Sequence, residues 1–270
     1  MTDLRPKRDA FHCLHQSGCF VIPNPWDVGS ARYLERLGFK ALATTSSGFA
    51  WSRGRADNGI SLDDALRHFE DIARCVDIPV NGDFEGGFAV DPSQVGANVR
   101  RAAATGIAGV SIEDSTGDDR HPLHDFDLAV ERVRAAHEAL AGTGVLLTAR
   151  SEGFIVGRPD LDETIRRLTA YARAGADCLY APGIRTRDEI TAVVRAVSHR
   201  PVNVLVGGGH TTVAELAQLG VRRISVGGAL ARTAWSAFMS AASEIAREGT
   251  FRGLASAVPF AEVNALFERG

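Results

Sequence analysis

Eight short apolar runs recur along the chain with helical segments between them, and this alternation constrains the fold more than any other feature. The runs are Cys19–Pro23, Ala41–Ser46, Pro79–Asp83, Gly109–Glu113, Val145–Ala149, Cys178–Ala181, Val202–Val206 and Arg223–Val226. They are rich in Val, Ile and Leu, as expected of strands covered on both faces. Strand–helix alternation means parallel βαβ units. Eight units predict an α/β fold, a closed (β/α)8 TIM barrel; an open eight-stranded sheet is the alternative that the pattern allows. One barrel takes ~250 residues, so the 270-residue chain reads as a single domain, 1–270, with residues 229–270 as a C-terminal helical extension.

The intervening segments carry helical period and caps. Leu62, Ala65, Phe69, Ile72 and Ala73 share one helical face. Ser61 with Asp64, Thr186 with Glu189 and Thr212 with Glu215 have capping-box spacing. Asp91-Pro92 places a cap and a first-turn proline before Val95–Ala104. The segment Pro259 to Arg269 has helical period through Phe260, Val263, Leu266 and Phe267, and is expected to pack on the barrel or on a neighbouring subunit.

A net charge of −3 gives no reason to expect nucleic acid or an anionic membrane as partner. No apolar run reaches the ~18 residues of a membrane helix. The charged stretch Met1 to Asp9 has no signal core, which predicts a cytoplasmic protein. The four cysteines, Cys13, Cys19, Cys75 and Cys178, lack metal-type spacing and are expected to be buried reduced thiols.

In a barrel of this kind the active site forms at the C-terminal ends of the strands. Polar residues there are candidates, and polar residues elsewhere are expected to be solvated. The third run ends in Asn81-Gly82-Asp83-Phe84-Glu85. Asp83 and Glu85 are two apart, so in an extended segment they face the same side. The fourth run adds Glu113, and Asp57, in the loop after the second run, is within reach of the same mouth. Like charges facing one space need a cation or raised pKa values. Oxygen ligands without histidine or cysteine suit Mg²⁺ or Mn²⁺. The alternative is that these acids cap helices or pair with arginines.

Arg150 ends the fifth run beside the acids. Its fork suits bidentate recognition of a substrate carboxylate, or else it neutralises the acids. Ser46, Ser47, Gly48 and Phe49 follow the second run, where small residues let backbone N–H groups and hydroxyls approach an anion; a tight turn without ligand explains them equally well. Gly207-Gly208-Gly209-His210 and Gly227-Gly228 end the last two runs, where barrels often cradle phosphate. A Schiff-base aldolase is excluded, because Lys40 lies at the opposite end of its strand and Lys7 precedes the barrel.

With those residues in place, the sequence resembles the isocitrate lyase/phosphoenolpyruvate mutase superfamily from Phe20 to Phe267. Asp83-x-Glu85-x-Gly87-Phe88 is similar to that superfamily's D-x-D-x-G-Y/F turn, and Ile112-Glu113-Asp114 and Ala149-Arg150 also match it. The resemblance implies that Asp83 ligates the metal directly, while Glu85, Glu113 and Asp57 act through metal-bound waters. It places Ser47-Gly48-Phe49 at a substrate carboxylate or oxo group and Arg150 on the substrate. It further implies a homotetramer, a dimer of dimers, that exchanges the eighth helix within residues 229–270. Two departures stand out. Glu85 replaces an aspartate, and the lyase loop K-R/K-C-G-H is absent; that window reads Ser115 to His124, without cysteine or lysine. This polar stretch is expected to act as a lid, with His121, His124 and Arg120 as candidates for proton transfer.

Three functions follow as expectations. The first is a Mg²⁺-dependent lyase or decarboxylase on a small 2-oxo or 2-hydroxy diacid, proceeding through a pyruvate-type enolate. The second is P–C bond chemistry on phosphonopyruvate. The third is a barrel that binds a phosphorylated ligand without this chemistry.

Overall fold

The computed structural model describes residues 3–268. The strands are β1 (Phe20–Ile22), β2 (Leu42–Ala43), β3 (Val80–Asp83), β4 (Gly109–Glu113), β5 (Leu146–Arg150), β6 (Cys178–Tyr180), β7 (Val202–Leu205) and β8 (Arg223–Ser225). They pair in parallel in the order β1-β8-β7-β6-β5-β4-β3-β2. Across the remaining seam the Ala43 amide donates to the Pro23 carbonyl at 3.1 Å, so the sheet curls into a nearly closed barrel rather than an open sheet.

The helices are α1 (Arg5–Gln16), α2 (Val28–Arg36), α3 (Ser46–Ser52), α4 (Leu62–Cys75), α5 (Pro92–Ala103), α6 (Phe126–Leu140), α7 (Leu161–Arg173), α8 (Arg187–Ala196), α9 (Val213–Gln218), α10 (Ala229–Glu248) and α11 (Phe260–Ala265). The expected caps form: Ser61 and Asp91 each accept a backbone amide three residues on, and Thr186 with Glu189 and Thr212 with Glu215 make complete boxes. Helix α1 plugs the N-terminal end of the barrel, where Phe11 packs with Ile22, Ala41, Ala108 and Leu146. Lys7 on α1 donates to the Ala73 carbonyl at 2.9 Å, far from any strand C-terminus.

Strand alternation sorts the residues by face. Val110, Ile112, Leu147, Leu179, Val204 and Ile224 join the buried layer packed against the helices. The opposite faces carry Asn81, Ser111, Thr148, Asn203, Arg223 and Ser225, all buried. The expectation that polar residues away from strand ends are solvated is therefore wrong for this barrel; they line its interior.

The cysteine expectation also needs correction. Cys178 is buried and Cys19 and Cys75 are half-buried, but Cys13 falls on the solvent side of α1 and is exposed. At the C-terminus, α10 buries only Ala231. Its apolar residues Phe238 and Met239 are 62% and 59% exposed. The last segment returns to the chain's own barrel, where Arg36 of α2 donates to the Ala265 carbonyl at 2.8 Å; Arg269 lies outside the described residues. Among the described residues, no helix is long and apolar enough to cross a membrane.

Candidate active site

The strand C-termini surround a cavity of about 360 Å³ lined by Asp57, Asp83, Glu85, Glu113, Arg150 and Glu152, with Ser46 and Ser47 on one wall. Asp83 ends β3 and is the hub. Its Oδ2 accepts from the Ser46 amide and hydroxyl, both at 3.0 Å, and its Oδ1 accepts from Arg150 Nη1 at 2.7 Å. Arg150 ends β5 and also meets Glu113 Oε2 through Nη2 at 3.1 Å and Glu152 Oε1 through Nε at 2.9 Å. Its guanidinium lies over the Tyr180 ring, 5.1 Å from the centroid. Burial alone would lower its pKa, but Glu152, Glu113 and Asp83 hold it well above the usual value.

Glu85 reaches the cavity by a different route from the extended one its spacing suggested. Strand β3 stops at Asp83, and Glu85 sits at φ 46°, in the left-handed region. A non-glycine residue there is uncommon, and such conformations concentrate at functional sites. The turn is closed by the Gly87 amide on the Phe84 carbonyl at 2.8 Å. Glu85 Oε1 is buried without a hydrogen-bond partner. Burial, then the charges of Asp83 and Asp57, push this carboxyl up to about 8. Burial likewise raises Glu113, Glu152 and Asp57.

Five carboxylates thus share one cavity with two guanidiniums, Arg150 and Arg223, of which Arg150 is paired with three of them. The donor set is all oxygen, one buried carboxylate oxygen is unpaired, and raised pKa values mark negative charge that lacks compensation. These residues fit a hard divalent cation. Among the described residues, no three His, Cys, Asp or Glu side chains are already arranged to hold a metal ion by themselves.

Thr45 caps α3, so the chain leaves β2 and turns at once into a helix. That turn leaves Ser46 and Ser47 on the cavity and carries Gly48 and Phe49 behind it. Gly48 donates to Thr45 Oγ1 at 3.3 Å, and a Cβ there would lie 3.0 Å from Trp26 Cβ, so its smallness serves packing. Phe49 stacks on His68 with centroids 3.9 Å apart. Of the four residues expected at the substrate, Ser46 and Ser47 line the cavity and Gly48 and Phe49 do not. After β8, the Val226 and Gly227 amides both donate to Asn24 Oδ1 at 2.9 Å, so of the glycine pair there Gly227 has its amide already engaged.

The phosphoenolpyruvate phosphomutase family model matches residues 11–246. The chain belongs to this family. A crystal structure of a Burkholderia cenocepacia J2315 protein, provisionally described as a lyase/mutase, is 49% identical and covers 99% of this chain and 98% of its own, with a TM-score of 0.95. The uncharacterized protein Rv1998c of Mycobacterium tuberculosis is 33% identical over 95% of both chains. The oxaloacetate decarboxylase of Bradyrhizobium sp. ORS 278 is 27% identical over 82% of this chain and 78% of its own. A phosphonopyruvate hydrolase solved with oxalate and Mg²⁺ is 28% identical, covers 96% and 94%, and has a TM-score of 0.83. The superfamily resemblance is thereby established, and with it an enzyme of lyase type.

In this family member the segment after β4 is a short hairpin. Ser115 and Leu123 form an antiparallel bridge, and the His124 amide donates to the Asp114 carbonyl at 2.9 Å. The Asp114 carboxylate is buried and accepts from Tyr171 Oη at 2.6 Å, Arg167 Nη1 at 3.1 Å and the Glu152 amide at 2.8 Å. One aspartate thus ties the hairpin base, α7 and the segment after Arg150 together. His121 and His124 do not line the central cavity. They line an adjoining cleft that shares Glu85, Glu113 and Ser115 with it. His121 is exposed; His124 is buried, and burial with the nearby Arg132 lowers its pKa.

Glu152 was not among the sequence candidates. The signal was present: Arg150 and Glu152 are two apart, the same spacing that singled out Asp83 and Glu85.

Proposed function

We propose that this chain is a Mg²⁺-dependent lyase or decarboxylase, with Mn²⁺ as substitute, acting on a small 2-oxo or 2-hydroxy diacid. The observation that carries the reading is the crowding of five carboxylates in one cavity, three of them on Arg150, with Glu85 Oε1 buried and unpaired. Asp83, Glu85, Glu113 and Asp57 would hold the ion. When bound there, it supplies the Lewis acidity that takes up negative charge on the 2-oxo oxygen as the bond breaks.

The chain's own residues do the rest. Arg150, fixed from one side by Glu152 and seated on Tyr180, presents planar donors to a substrate carboxylate. The Ser46 amide and hydroxyl hold Asp83 in place. The hairpin over residues 115–124 flanks the mouth, where Ser115 lines the cavity, and would limit water by closing over it. Oxaloacetate, alkylmalates and phosphonopyruvate should be screened for pyruvate release with and without Mg²⁺. The reading expects Mg²⁺-dependent release from one of the two carbon acids. Release from phosphonopyruvate alone would replace it with P–C bond chemistry, and no release from any would return the barrel to ligand binding.

We further propose that the exposed apolar face of α10 docks on a second copy of the chain, in a homo-oligomer. Trp235, Phe238 and Met239 form that face beside Trp51, with no covering element of their own chain.

A further inference from the structure

One buried cation lining the cavity has no acid to balance it. Arg223, the first residue of β8, is 3% exposed and faces the barrel interior below Arg150. Its Nε donates to Asn203 Oδ1 at 2.8 Å, Nη2 donates to Thr148 Oγ1 at 3.0 Å, and Nη1 meets His15 Nε2 at 3.3 Å. All three partners are neutral. Burial, followed by the charge of Arg223, lowers His15 to about 3. The His15 Nδ1 proton goes to the Phe11 carbonyl at 2.8 Å, which leaves the Nε2 lone pair for the arginine.

None of the cavity acids is within ion-pair reach of Arg223; Asp83, Glu113 and Glu152 are held by Arg150 instead. A guanidinium has five N–H donors, so donors remain beyond the three used. An unbalanced buried charge is costly, and apolar side chains would fill a barrel floor without that cost. The walls at this depth are equally polar: Asn81, Ser111 and Ser225 line the same cavity, and Asn81 Oδ1 is buried without a hydrogen-bond partner.

We propose that Arg223 receives the second carboxylate of the substrate and so makes the site selective for diacids over monoacids. This rests on the reading that the mouth takes a 2-oxo or 2-hydroxy acid. The head of such a molecule lies at Asp83 and Arg150, and its tail reaches down the polar interior to Arg223. The tail carboxylate then balances Arg223, while Arg150 and a divalent cation offset part of the acid charge above.

Calorimetric titration in Mg²⁺ with three probes tests this. Oxalate is too short to reach the floor; L-malate has the tail carboxylate; 2-hydroxybutyrate is malate with a methyl group in its place. Wild-type protein is expected to bind malate at least about 30-fold tighter than 2-hydroxybutyrate, the scale of one charge-assisted pair. R223Q should bring the two within about threefold while leaving oxalate affinity unchanged. Equal binding by wild type, or an undiminished preference in R223Q, overturns the proposal. If oxalate itself fails to bind with Mg²⁺, the metal reading fails instead, so the two failures are distinct. Should R223Q not fold, a crystal structure of wild type with Mg²⁺ and malate decides: the tail on Arg223 supports the proposal, and the tail toward solvent refutes it.

Discussion

Replacing Arg150 by lysine isolates the geometry of the grip from its charge. The guanidinium reaches Asp83 at 2.7 Å, Glu113 at 3.1 Å and Glu152 at 2.9 Å through three different nitrogens. A lysine presents one nitrogen and can satisfy one of these directions well. That one nitrogen cannot hold these acids and also offer paired donors to a ligand carboxylate, so at least one charge-assisted contact to the ligand is lost, ~1.5–3 kcal/mol before water compensates. The side chain is only 15% exposed, so compensation is partial, and a net loss of about 2.7 kcal/mol, or 100-fold, is expected. Titration of oxalate in saturating Mg²⁺ reads it as a weaker Kd without requiring the substrate, and kcat/KM should fall in parallel once one is found. Arg150→Lys with Kd changed less than about threefold would refute the reasoning and reduce Arg150 to neutralising its neighbours.

Acid should destabilise the fold through two buried histidines. His15 and His68 are lowered by burial to about 3 and about 4, so below pH 6.5 the unfolded chain takes protons that the folded chain refuses. Each ring costs up to ~1.4 kcal/mol per pH unit between 6.5 and about 4, while the raised Glu85 and Glu113 carboxyls act in the opposite direction; the denaturant midpoint of His68→Gln should therefore rise relative to wild type as pH falls over this window, and a pH-independent difference contradicts it. Phe238→Asp, which puts a charge on the uncovered face of α10, should shift light-scattering mass towards monomer; an unchanged oligomer removes that face from the interface. His121→Asn and His124→Asn are expected to leave the rate between pH 5 and 9 within about threefold, because both rings lie behind Glu85 and Glu113. A flattened limb in either variant would return an imidazole to proton transfer.

The strands were legible because burial on both sides leaves a plain apolar mark, although β2 shortens to two residues where Thr45 caps α3. Asp83, Glu113 and Arg150 were legible because strand ends face the mouth. Asp57 and Glu85 also reach the cavity, Glu85 by a left-handed turn that no spacing rule announces. Gly48 and Phe49 stand off the cavity because α3 begins at Ser46, a helix start that reads in the sequence as a strand end and loop. The polar interior was missed because Asn81, Thr148, Asn203 and Arg223 sit within strands, where a rule about strand ends does not look. Helix α1 escaped because the repeat pattern begins only at β1, yet its Phe11 closes the barrel floor.

The central claim is that the acids around Asp83 hold a divalent metal on which an oxalate-like group is read. Thermal unfolding of wild type and Asp83→Ala, each with Mg²⁺, oxalate, or both, tests it most directly. Wild type should be stabilised most by the pair, with about 2.7 kcal/mol expected at 100 times Kd, while Asp83→Ala should fold and show no joint effect. An equal joint stabilisation in Asp83→Ala would contradict the account.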